Sequence, residues 1–148
     1  MTFVGVLDGV AAPVGDGVAE PAVVLAAATT PPSLGTLALV ALGGAAGATA
    51  RALVGRRLDG RRATVAVNVV GSWLLGVVAG LVATGGLPSS AAALVGTGFC
   101  GAFTTFSSLA VETRSLLADR EWRTALRFGG GTLLAALLGA AVGGWLVG

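Results

Sequence analysis

The chain has 148 residues, 55% of them hydrophobic and 11% charged, with 25 glycines and a formal net charge of +2, a balance too apolar for a soluble domain of this size and expected of an integral membrane protein. With no His and one Cys, at position 100, Ser/His/Asp and Cys/His catalytic sets and multi-Cys metal sites are excluded, so the chain is read as no enzyme. All nine basic residues are Arg that flank apolar runs without aromatic interleaving, which speaks against nucleic acid as a partner.

Residues 1–33 form a Gly/Ala/Val/Pro stretch broken by Asp8, Asp16, Glu20 and prolines at 13, 21, 31 and 32. It lacks the basic start of a signal peptide and is expected to be a flexible, extracytoplasmic tail. Four apolar segments of bilayer-spanning length follow, predicted at 34–54, 63–84, 91–111 and 124–147. "GGLPSS" (85–90) reads as a polar turn and "ETRSLLADREWR" (112–123) as a charged loop.

Backbone groups in hydrocarbon must be satisfied within the segment, so the spans are predicted as helices. Gly43/Gly47, Gly76/Gly80 and Gly139/Gly143 repeat a small-xxx-small spacing that lets helices approach closely in lipid. The third span is the anomaly. Its "GFCGAFTTFSSL" (98–109) puts glycines and adjacent β-branched threonines inside an apolar run, which weakens helix continuity while supplying hydroxyls that re-satisfy freed backbone groups. A broken helix is predicted there, with exposed carbonyls suited to a cation.

The Arg residues are one-sided. Arg51, Arg56, Arg57, Arg61 and Arg62 lie in or beside the first connection, and Arg114, Arg120, Arg123 and Arg127 in or beside the third. By the positive-inside rule both connections are cytoplasmic and both termini outside.

No Asp or Glu falls within a predicted span, which disfavours a proton-coupled multidrug exporter, since such a protein needs an intramembrane ionisable group. The polar candidates are instead neutral. Asn68 brings an amide whose burial without partners is costly, readable equally as interhelical glue. Ser72, Thr97, Thr104, Thr105, Ser107, Ser108 and Thr132 add hydroxyls, and the positive ring edges of Phe99, Phe103 and Phe106 are able to solvate a small anion.

Three segments together resemble the CrcB/Fluc family of fluoride channels. "GGAAGATARA" (43–52) is similar to a Gly-Gly-x-x-Gly-Ala-x-x-Arg pattern ending in Arg51; "TVAVNVVGSWLLG" (64–76) is similar to the family's Asn and Gly-Ser motif with Trp73 in place of Phe; and "GFCGAFTTFSSL" is close to the family's Gly-Phe-Cys-Gly-Gly-Phe-Thr-Thr-Phe-Ser pattern. The likeness covers about residues 36–147. It implies an all-α membrane protein that assembles as an antiparallel dimer, two fluoride pathways near the dimer interface, and passive export of fluoride across the plasma membrane. It also implies a structural Na⁺ at the dimer centre, held by the backbone carbonyls of Gly101 and Thr104. Carried over by position, Asn68 is the pore amide, Phe106 the first ring of a phenylalanine pair, Ser107 a hydroxyl beside the path, and Arg51 a vestibule cation.

Two positions depart from the pattern: Leu109 stands where the family has its second Phe, and Phe128 where it has Tyr, followed by Thr132 where Ser is common. The one-sided Arg distribution also conflicts with a subunit that inserts both ways. Pairing with a similar subunit of opposite charge bias, which supplies the missing ring and hydroxyl, is the expectation; a non-conducting structural subunit is the alternative.

Overall fold

The computed structural model describes residues 32–148, so the expected tail over 1–33 lies outside the described residues apart from its last two positions. Ser33 opens the first helix, α1 (Leu34–Arg57), by accepting the Thr36 N–H on its side-chain oxygen at 3.2 Å. This is the usual way a serine satisfies an orphan donor at a helix start. Arg56 and Arg57 occupy the last turn, where positive charge is favourable against the carbonyl end of the helix. A short turn leads to α2 (Gly60–Ala83), and a second, with Gly85 at φ 72° in the left-handed region, leads to the third span.

That span is built in pieces. Ser89–Ala92, Ala93–Cys100 and Gly101–Phe103 run on as one helix, α3, whose middle stretch is π-wound. Thr104 and Thr105 then leave helical geometry (φ −77°, ψ 158° and φ −147°, ψ 110°), and α4 (Phe106–Ala118) resumes. After a turn in which Arg120 takes φ 62°, α5 (Trp122–Trp145) completes the bundle. The described residues thus contain four segments long and apolar enough to cross a membrane: Leu34–Arg57, Gly60–Ala83, Ser89–Ala118 and Trp122–Trp145. At 1.5 Å per residue a 24-residue helix measures about 36 Å, enough for a hydrocarbon core of about 30 Å.

All four helical segments overrun the apolar limits predicted for them at one end or both. The clearest difference is "ETRSLLADREWR" (112–123), which is not a loop: α4 continues through Glu112 and Arg114 to Ala118, and only residues 119–121 turn. Glu, Arg and Leu are good helix formers, and charge is tolerated where a helix emerges at the interface.

Two close contacts hold the bundle. α2 packs most extensively on α5, and α1 on the π-wound part of α3. At both the backbones are too close for a side chain: a Cβ on Gly76 would strike the Ala140 carbonyl and one on Gly143 the Trp73 carbonyl, while Gly43 and Gly47 sit against the carbonyls of Leu94 and Phe99. The predicted small-residue pairs therefore mark the places of closest approach. Leucines and valines such as Leu34, Leu42, Leu126 and Leu137 face outward, as lipid requires.

Candidate functional site

The break at Thr104–Thr105 interrupts the third span about half-way, where unpaired backbone is costly. Thr104 keeps its N–H on the Cys100 carbonyl at 3.1 Å and adds its hydroxyl to the same oxygen at 3.0 Å. Thr105 turns away. Its N–H donates to Asn68 Oδ1 at 2.7 Å rather than to the Gly101 carbonyl four residues back, and its own carbonyl accepts from Asn68 Nδ2 at 3.0 Å. Its hydroxyl oxygen then caps α4 by accepting the Ser108 N–H at 3.2 Å, and lies 3.1 Å from the hydroxyls of both Ser107 and Ser108. Asn68 and Thr105 are both buried, so one side-chain amide and one hydroxyl hold the discontinuity together. The broken ends bring the carbonyl terminus of α3 close to the N–H terminus of α4, a cation-favouring and an anion-favouring pole side by side.

This clamp stands between two clefts. One, of about 210 Å³, is lined by Asn68, Ser72, Leu75, Thr104, Phe106, Leu109, Thr132, Leu133 and Ala136. The other, of about 230 Å³, includes Arg51, Thr64, Thr105, Ser108 and Glu112 in its lining. Asn68 opens on the first and its partner Thr105 on the second.

The structure brings Asn68, Phe106 and Thr132 together in the first cleft. Phe106 is 79% exposed, with Leu109 on the same wall. Phe99 and Phe103 are elsewhere, stacked on each other with ring centroids 5.4 Å apart. Thr132 is buried, and its hydroxyl donates to the Phe128 carbonyl of its own helix, leaving the oxygen as an acceptor toward the cleft. Arg51 belongs to the second cleft and donates from Nη1 to the Thr104 carbonyl at 3.2 Å. Ser107 is exposed and lines neither cleft.

Among the described residues there is no cluster of three or more His, Cys, Asp and Glu able to hold a metal, and the cation site that the resemblance implies is made of backbone carbonyls. The Gly101 carbonyl fits, since the N–H that would normally occupy it has gone to Asn68 and the residue is exposed. The Thr104 carbonyl fits less freely, because it already accepts from the Arg51 guanidinium.

The sequence reading missed Glu112 altogether. Its Oε1 accepts from the Thr64 hydroxyl at 3.1 Å, and its Oε2 is buried without a partner. Helical spacing carries the signal: Thr64 and Asn68 are four apart on α2, and Ser108 and Glu112 four apart on α4, so each pair shares a face.

An interrupted span clamped by a buried amide, inside a four-span helical bundle, defines a membrane protein with a polar discontinuity at its centre. Residues 38–145 match the family described as "CrcB-like protein, Camphor Resistance (CrcB)", and the chain belongs to that family. It is 52% identical over 110 residues to the fluoride-specific ion channel FluC 2 of Natronomonas pharaonis, covering 73% of this chain and 90% of the relative. It is 41% identical over 115 residues to FluC 1 of Leifsonia xyli subsp. xyli, covering 74% and 84%, and 46% identical over 118 residues to FluC 1 of Symbiobacterium thermophilum, covering 71% and 94%.

Proposed function

We propose that this chain is a subunit of a passive fluoride channel in the plasma membrane that lowers cytoplasmic fluoride by letting it leave the cell. The observation that carries the reading is the convergence of Asn68, Phe106 and Thr132 on one cleft at the break, in a chain whose relatives are named fluoride-specific ion channels. Fluoride is small and tightly hydrated, so a pore must replace its water with close donors yet release it. Asn68 has one N–H left after its bond to Thr105, Phe106 brings a ring edge of positive potential, and Ser107 offers a hydroxyl outside the cleft, whereas the Thr132 proton is already given to the Phe128 carbonyl. Arg51 draws the anion toward the second cleft.

The working unit is an antiparallel dimer. A Na⁺ at its centre, held by the carbonyls of Gly101 and Thr104 from both subunits, supplies a fixed positive charge that lowers the barrier for an anion. The arginine-rich end faces the cytoplasm and both termini lie outside. Because one orientation alone cannot build an antiparallel pair, the partner is a similar subunit with the opposite charge bias.

A second reading, a non-conducting structural subunit, is favoured by one observation: Leu109, which has no ring edge, stands beside Phe106 in the cleft. Fluoride efflux from liposomes, with chloride as control, separates the two. Fluoride-selective efflux from the chain purified alone establishes a complete homomeric channel. Efflux that appears only with an oppositely biased subunit, and that Phe106→Ile in this chain abolishes, establishes a conducting half. Efflux indifferent to Phe106→Ile and Asn68→Ala overturns the channel reading in favour of a scaffold.

A further inference from the structure

The two ends of the bundle differ in charge. Thr64 near the start of α2 bonds Glu112 near the end of α4, which places the α1–α2 and α4–α5 turns at the same end. Four arginines belong to the first turn (Arg56, Arg57, Arg61, Arg62) and four to the second (Arg114, Arg120, Arg123, Arg127), all exposed, against three exposed carboxylates, Asp59, Asp119 and Glu121. The turn at the opposite end, residues 84–88, carries no ionisable side chain. Each arginine sits at or within about two turns of the end of a spanning helix. Trp122, 60% exposed, joins them with the Arg123 guanidinium 5.1 Å from its ring centroid, an amphipathic ring of the kind that settles at the headgroup level.

We infer that this arginine collar is a binding surface for anionic phospholipid headgroups of the leaflet it faces. Guanidinium presents a planar fork that matches phosphate oxygens two at a time, and basic groups immediately outside a spanning helix are attracted to acidic lipid. The inference is independent of whether the chain conducts fluoride.

The chain itself supplies the probe and its control, because α5 carries Trp122 at the collar and Trp145 at the end without arginines, both exposed. Two full-length proteins, one with Trp122 alone (Trp73→Phe, Trp145→Phe) and one with Trp145 alone (Trp73→Phe, Trp122→Phe), are reconstituted with phosphatidylglycerol or phosphatidylcholine carrying brominated chains that quench tryptophan on contact. Phosphatidylglycerol is expected to quench Trp122 in preference to phosphatidylcholine by about fivefold for each arginine engaged, with no preference at Trp145. Arg120→Gln, Arg123→Gln and Arg127→Gln together should reduce the preference at Trp122 severalfold, and 1 M salt acting on the unsubstituted collar, where the screening length falls to about 3 Å, should remove it. Equal quenching of Trp122 by the two lipids, or the same preference at Trp145, overturns the inference. So does loss of the preference on adding inorganic phosphate at constant ionic strength, which assigns the collar to the free anion.

Discussion

α2 makes two kinds of contact along its length. Toward its C-terminal half it lies backbone to backbone on α5, with Gly76 against Ala140 and Gly143 against Trp73. Toward its N-terminal half, Thr64 and Asn68 meet Glu112 and Thr105 through hydrogen bonds, and clefts open on either side. Glycines remove the space that a ligand would need, and polar side chains near the break preserve it. The same helix thereby fixes the bundle with one half and furnishes a site with the other.

Substitutions that move one contact toward the other test that division. The largest effect is expected from Gly76→Val, whose Cβ meets a backbone carbonyl that has no rotamer to retreat into; α2 and α5 must separate, and size-exclusion chromatography should show aggregated or absent protein. Asn68→Ala comes next. It strands a buried N–H and a buried C=O of Thr105, at about 1–3 kcal/mol for a group left unsatisfied, so thermal unfolding in detergent should shift down while fluoride efflux falls by about tenfold or more, the equivalent of ~1.4 kcal/mol in barrier. Phe106→Ile should reduce efflux without moving the unfolding temperature, because the ring is 79% exposed and holds little of the fold; a coupled loss of both would place Phe106 in the packing instead. Thr132→Val is expected to do least, changing efflux by no more than a few-fold, since the hydroxyl proton is already committed to the Phe128 carbonyl. A loss as large as that of Asn68→Ala would show that this hydroxyl turns toward the cleft.

Much of this was legible in the sequence. Apolar length gave the four spans, and glycines followed by paired threonines marked the third as broken, because both features weaken a helix locally. Asn68 stood out because an amide at membrane depth must find partners. Its partner was not legible, since Thr105 lies 37 residues away in the chain and only the fold brings them together. Nor was the π-winding of Ala93–Cys100, the stretch against which Gly43 and Gly47 of α1 pack. Glu112 is not legible because a charge ordinarily marks the end of an apolar span, whereas α4 continues past it inside the same helix for six more residues.

The clamp at Thr105 also has a meaning outside helix packing. Thr105 has the dihedrals of a β-strand residue, and Asn68 both accepts its N–H and donates to its C=O, which is how two residues face each other in one rung of an antiparallel ladder. The side-chain amide imitates a neighbouring peptide group, so a single residue of strand persists among helices without a second strand beside it. A carboxylate of the same size would set an acceptor against the Thr105 carbonyl, and an isobutyl group would leave both of its polar groups bare. Of side chains this length, the carboxamide alone completes the rung.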